Sequence, residues 1–216
     1  MVDQFCFYPE SKTLEVETQD PLLASLPQGG NEIDSNSIFG QTAPFILDLG
    51  AGEGSFALAY ALQNSGGYVL AIEKKISRVR KIVRKAKNLN LKNLKVLHFY
   101  WELFLKDYCK SSAVDEIHIL FPDPWPKRRH HNRRTLNFQS IESISRVLKP
   151  KGLCRLVTDN QDYFLAVTKL FNLSADFELI TPKKNYPESL FEQRFKKMGI
   201  PYFQALWEKK AAKGCP

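Results

Sequence analysis

The sequence predicts an α/β fold built on a doubly wound, mostly parallel sheet with an antiparallel edge strand, and three observations carry the prediction. Short apolar runs alternate with stretches of helical periodicity from residue 45 onward, which is the pattern of βαβ units. The first apolar run flows into a glycine-rich turn, "GAGEG", and then directly into a helical stretch. The last two apolar runs show no helical pattern between them, so they are expected to be joined by a loop and to pair antiparallel at one end of the sheet.

Taken in order, "FILDL" (45–49) is short and apolar on both faces, as a buried strand requires, and "GSFALAYALQN" (54–64) has helical character. "YVLAIE" (68–73) is a second strand, and "KISRVRKIVRKAKNLN" (75–90) a helix in which Ile76, Val79, Val83 and Ala86 recur at helical spacing. "LKVLHF" (94–99) and "VDEIHILF" (114–121) read as strands, "FQSIESISRVL" (138–148) as a helix and "GLCRLVTD" (152–159) as a strand. "FELI" (177–180) and "YFQALWEKK" (202–210) are the final pair. Ahead of all this, residues 1–43 contain "DPLLASLPQGGNEIDSNS", whose Pro, Gly, Asn and Ser content predicts an irregular arm; residues 44–216 form the main domain.

At 216 residues, 44% of them hydrophobic, the chain is long enough for one sizeable core. No apolar run reaches the length of a membrane span and the first residues lack the order of a secretory signal, so the cytoplasm is the expected compartment and no membrane partner is expected. Cys6, Cys109, Cys154 and Cys215 lack the close paired spacing of metal ligands, and no metal is expected. The net charge of +8 is uneven: seven acids face Lys12 alone in residues 1–43, so the remainder carries +14. A body that basic favours a polyanionic partner, nucleic acid foremost.

Two stretches carry chemistry. In "LDLGAGEGSF", Gly50 and Gly52 follow a strand, Asp48 stands at the strand end, and Glu73 closes the next strand, where a carboxylate accepts hydrogen bonds from ribose hydroxyls. The G-x-G-x-G spacing is tighter than that of a dinucleotide turn, and Asp48 brings negative charge where a diphosphate would need positive. S-adenosylmethionine, with an α-amino group, a sulfonium and no phosphate, suits such a site. In "HILFPDPWPKRRHHNRR" the fourth strand ends in Asp123 between two prolines, followed by Trp125 and by Lys127, Arg128, Arg129, Arg133 and Arg134. The prolines stiffen the backbone, the carboxylate and indole suit a flat ring with N–H donors, and the basic tail suits phosphates. Lys74 to Lys92, with nine basic residues and no acid, is either a solvated face or a second RNA contact.

"LFPDPWPKRRHHNRR" resembles the signature of the bacterial tRNA (guanine-N(7)-)-methyltransferases, and "IFGQTAPFILDLGAGEGSF", "LAIEK", "LKPKGLCRLVTDNQDYF" and "SLFEQRFKKMG" fall in that family's order, over about residues 37–210. The resemblance implies a Rossmann-like fold, S-adenosylmethionine as cofactor, and methylation of a guanosine in the variable loop of tRNA; a monomer or a homodimer is expected. By position it implies that Asp48, Gly50, Gly52 and Glu73 hold the cofactor, that Asp123 serves both cofactor and methyl transfer, and that Lys127, Asp159, Ser189, Leu190, Phe191 and Glu192 bind substrate. Two departures stand out: Phe99 and Tyr100 replace the acid usual after the third strand, and Ser189-Leu190 replaces Thr-Lys. Two other readings stay open, a non-enzymatic RNA-binding module on a degenerate cofactor fold and an amino-methyltransferase of the Asp-Pro-Pro-Tyr type.

Overall fold

The computed structural model describes residues 20–27, 32–124 and 136–211. Among these, β1 (Phe45–Leu49), β2 (Tyr68–Glu73), β3 (Leu94–His98), β4 (Val114–Leu120), β5 (Leu148–Thr158), β6 (Phe177–Ile180) and β7 (Phe203–Lys209) form one sheet in the order β3-β2-β1-β4-β5-β7-β6. β1 to β5 pair in parallel. β7 runs antiparallel to both β5 and β6, so the edge strand β6 has an antiparallel neighbour, as the sequence predicts. The order reverses between β2-β1 and β4, which leaves a crevice at the carboxyl ends of β1 and β4, the place where doubly wound sheets hold ligands.

Both faces of the sheet are covered. Phe56, Ala57 and Tyr60 of α2 (Ser55–Gln63) and Val79, Ile82, Val83 and Ala86 of α3 (Ile76–Asn88) pack on Ile46, Val69, Ala71, Leu94 and Val96. On the other face α5 (Phe138–Val147) and α6 (Gln161–Leu173) bring Ile141, Ile144, Val147, Tyr163, Val167 and Phe171 onto Phe45, Leu47, Ile117, Cys154 and Leu156, joined by Trp101 of α4 (Trp101–Leu103) and by Phe104 from the π-helical turn Phe104–Tyr108 that continues it. Fully burying such aliphatic or aromatic side chains stabilises the fold by about 1.5–3 kcal/mol each. Among the described residues no helix is long and apolar enough to cross a membrane.

The structure corrects one element. The connection between β6 and β7 is not a loop alone: α7 (Leu190–Met198) forms within it. The Pro- and Lys-rich run 181–188 hides the helix in sequence, but its ends are well marked. Ser189 and Glu192 make a reciprocal capping box, and Gly199 closes the helix in the left-handed region at φ +66°. α6 is capped by Asn160, whose side chain accepts from the Tyr163 N–H.

Of residues 1–43, the described part is laid against the body. The Ala24 N–H donates to the Val96 carbonyl at 2.9 Å, extending pairing beyond β3, and Ile33 exchanges backbone bonds with Tyr108 and Lys110. Asp34 caps the short α1 (Ser35–Phe39), again as a capping box.

Candidate active site

β1 delivers the chain into the turn that begins at Gly50. The Gly50 and Ala51 N–H groups both donate to the Ile72 carbonyl, at 2.9 and 3.0 Å, and Gly52 donates to a Glu73 carboxylate oxygen at 2.9 Å. The turn therefore hangs from the end of β2, and its N–H groups are occupied by protein rather than aimed at an anion. Gly50 and Gly52 sit at φ +74° and +59°, and a Cβ at either would meet nothing within 4 Å, so a ligand has room to approach the backbone. Gly54 differs: a Cβ there would lie 2.7 Å from the Ile82 side chain, so this glycine lets α2 close against α3.

Two buried carboxylates flank the turn. Glu73, 3% exposed, accepts from the Gly52 N–H and, at 2.8 Å, from the Lys75 N–H, with the Arg78 guanidinium 3.8 Å away. Each of its oxygens has a second lone pair with which to accept from a ligand. Asp48, 2% exposed, accepts from the Ala57 N–H in the first turn of α2, standing in for the side chain that Gly54 lacks as N-cap. Its Oδ2 has no hydrogen-bond partner among the described residues. Burial, with the charge of Glu73 adding to it, pushes the Asp48 carboxyl up to about 7 against the pull of Ala57 and Arg155.

The second acidic group lies at the ends of β4 and β5. Phe121 continues the ladder, its N–H donating to the Val157 carbonyl at 2.7 Å, and then turns the chain at φ +49° into Pro122-Asp123-Pro124. Asp123 is exposed just beyond β4, and Asp159 is exposed directly after β5, its neighbour in the sheet. Trp125, Lys127 and the four arginines that follow lie outside the described residues.

α7 brings the remaining segment in from the other end of the sequence. The Leu190 N–H donates at 3.0 Å to Ser55 Oγ, the first residue of α2, and the Phe191 ring packs 5.3 Å from Phe121. Leu190 and Phe191 are exposed, at 51% and 54%, whereas Ser189 and Glu192 are buried. The Glu192 carboxylate is occupied on both oxygens, by Arg155 Nη2 at 2.5 Å and by the Ser189 N–H at 2.8 Å. The structure thus brings Asp48, Gly50, Gly52, Glu73, Asp123, Asp159 and the Ser189–Glu192 turn to the carboxyl ends of the parallel strands, with Glu192 turned inward. Phe99 packs edge-on against Tyr108, Tyr100 is exposed beside it, and Glu102 is partly buried, its carboxyl raised by that burial.

Sequence reasoning missed Arg155, His118 and Ser55. Arg155 interrupts the apolar run "LCRLV" and His118 the run "IHILF", and that interruption was the available signal. Burial holds His118 neutral, its pKa lowered to about 4, so its 3.2 Å contact with Glu116 is a hydrogen bond donated by Nε2 rather than an ion pair.

Residues 42–205 match the family described as "Putative methyltransferase". The chain is 34% identical over 193 residues to a tRNA (guanine-N(7)-)-methyltransferase of Nitrosomonas eutropha, covering 86% of this chain and 85% of that one. The chain belongs to the tRNA (guanine-N(7)-)-methyltransferase family. A second member of that family, from Leptospira interrogans, is 35% identical over 160 residues, covering 72% of this chain and 74% of its own. Solved structures share the fold: the 16S rRNA methyltransferase KamB, with a TM-score of 0.59 at 17% identity over 83% of this chain and 96% of that one, and a SAM-dependent O-methyltransferase from Thermotoga maritima, with a TM-score of 0.56 at 16% identity over 81% and 62%. The matched span contains every residue of the candidate site described above.

Proposed function

We propose that the protein transfers a methyl group from S-adenosylmethionine to N7 of a guanosine in the variable loop of tRNA. The observation that carries this reading is the unpartnered, buried Oδ2 of Asp48 beside the open backbone of Gly50 and Gly52. A buried carboxylate oxygen without a partner is costly unless a cation meets it, and an α-amino ammonium supplies that cation. Glu73 retains lone pairs for ribose hydroxyls, and Phe99 and Tyr100 offer aromatic surface to an adenine where relatives are expected to place an acid. The cofactor supplies an electrophilic methyl carried on a sulfonium.

Guanine N7 has an in-plane lone pair and no proton, so no general base has to act before attack. Catalysis then rests on alignment and on charge. Positive charge develops on the purine during transfer, and Asp123, exposed at the end of β4 and held between prolines, both accepts from guanine N–H donors and offsets that charge. Asp159 and the Leu190-Phe191 edge of α7 border the same opening, and Lys127 with the arginines after it binds the flanking phosphates. The outward face of α3, where Arg80 and Arg84 stand one turn apart and exposed, extends the RNA path. Incubating the protein with methyl-labelled cofactor and unmodified tRNA tests the proposal: label in tRNA is expected, and binding of tRNA without transfer would assign the chain to RNA binding alone.

A further inference from the structure

The strand register places three polar side chains in one row across the sheet. Asp48 pairs with His118, and His118 with Arg155, so the three project from one face, and all three are buried. Each ends in a buried atom without a partner among the described residues: Asp48 Oδ2, His118 Nδ1 and Arg155 Nη1. Arg155 closes the row on the side away from β1. Its Nη2 reaches Glu192 Oε1 at 2.5 Å, and both side chains are nearly inaccessible, at 6% and 2%.

The ion pair holds a particular piece of backbone. The other Glu192 oxygen accepts from the Ser189 N–H, and Ser189 Oγ accepts from the Glu192 N–H at 3.2 Å, so the first turn of α7 is closed on itself and then fixed to β5. From that turn the Leu190 N–H reaches Ser55 at the start of α2, and Phe191 packs on Phe121, two residues before Asp123. One short turn therefore touches the cofactor loop, the sheet and the Asp123 loop. The Glu192 carboxylate is buried and each of its oxygens is already engaged, so its first task is to hold this turn. A buried ion pair is a poor way to add stability compared with apolar packing, whereas it holds two segments together firmly, because either charge left buried alone is strongly disfavoured.

We propose that Arg155 is a positioning residue for methyl transfer: with Glu192 it clasps the first turn of α7 to the sheet, so that Leu190 and Phe191 stand at a fixed place between the cofactor turn and Asp123. This rests on the proposed function. Glu192 and Arg155 act together as the clasp, and Arg155 stands in the same row of the sheet as Asp48.

The test is a double-mutant cycle of Arg155→Met, Glu192→Gln and the combined variant, assayed on unmodified tRNA at saturating cofactor well below each melting midpoint, with cofactor affinity of each measured by calorimetry. Each single change is expected to lower kcat at least tenfold, Glu192→Gln is expected to leave cofactor affinity within threefold, and the double variant is expected to be no more than twofold worse than the poorer single. Losses that multiply, or single variants with parental kcat and only a lowered midpoint, overturn the clasp. Should Arg155→Met fail to fold, Arg155→Lys replaces it, and a kcat within fivefold of parental is expected because the buried cation is kept; a larger loss with normal cofactor binding overturns the clasp. A parental protein that methylates no tRNA overturns the proposed function instead, and the clasp is then read by hydrogen exchange. Arg155→Met is expected to speed exchange in residues 189–198 and 50–57 together, and unchanged exchange in 50–57 overturns it.

Discussion

The two acidic centres of the site are built in opposite ways. Asp48 and Glu73 are buried where β1 and β2 end, tied to backbone N–H groups of the turn and helix they support. Asp123 and Asp159 are exposed beyond the ends of β4 and β5. The same functional group is thus finished by the fold on one side and left for a ligand to finish on the other. A small cofactor needs a preformed site, since it has few atoms with which to organise one. A large RNA brings its own phosphates and stacking surfaces, so the protein can present a single aspartate at the base and still orient it.

That contrast predicts a graded series of effects. The largest belongs to the open centre: Asp123→Ala is expected to lower turnover on tRNA about 100-fold, the scale of one preorganised electrostatic group, with a smaller loss of cofactor affinity by calorimetry than Glu73→Ala causes. In the buried centre, Glu73→Ala removes a charge-assisted contact of about 1.5–3 kcal/mol, so cofactor binding should weaken roughly tenfold or more in a titration. If the two variants exchanged phenotypes, the division between the centres would be wrong.

The buried centre should also be proton-linked. Asp48, raised to about 7, is largely protonated in the free protein below that pH, whereas an ammonium partner requires the carboxylate. Cofactor affinity should therefore fall as pH drops from 8 to 6, approaching tenfold per unit below 7, and calorimetry in buffers of different ionisation enthalpy should detect one proton released on binding. The sign for stability is opposite. Between the ordinary 3.8 and about 7 the folded state holds the extra proton, so the free protein loses stability as pH rises through that window. Asp48→Asn should abolish both dependences.

Smaller effects lie outside both centres. Replacing Arg80 and Arg84 by Gln should weaken tRNA binding severalfold at low salt and reduce the slope of log affinity against log salt by roughly 1–2, leaving cofactor binding unchanged. An unaltered slope would return the outer face of α3 to a solvated surface. Smallest of all, Asp20→Asn breaks a 2.5 Å pair with Lys87, itself half exposed, and should shift stability by less than about 1 kcal/mol in thermal melts.

The sheet was legible in the sequence because its signals are local. "FILDL" and "YVLAIE" became β1 and β2 at the expected bounds, since apolar runs bounded by glycine and polar turns have few alternatives. Asp48, Glu73 and Asp123 could be singled out by their place at strand ends. α7 was missed because the run of Pro and Lys before it reads as loop, although Ser189, Glu192 and Gly199 together spell a capped helix. Arg155 was missed for a different reason. Its role depends on which residues face it across three strands and on a helix arriving 37 residues later, and register of that kind is not written in any one segment. Nor does sequence reveal that the Gly50, Ala51 and Gly52 N–H groups are spent on Ile72 and Glu73, which removes them from any anion and strengthens the case for a cofactor without phosphate.

In the proposed mechanism the site aligns a ring nitrogen already able to attack, with a carboxylate to offset charge and no base to remove a proton. Mapping the modified atom tests it most directly: unmodified tRNA is incubated with the protein and cofactor, digested to nucleosides, and resolved by chromatography and fragmentation against methylguanosine standards. N7-methylguanosine is the expected product. Methyl found on an exocyclic amine would contradict it, because that nitrogen must lose a proton and the site would then have to supply the base that this account leaves out.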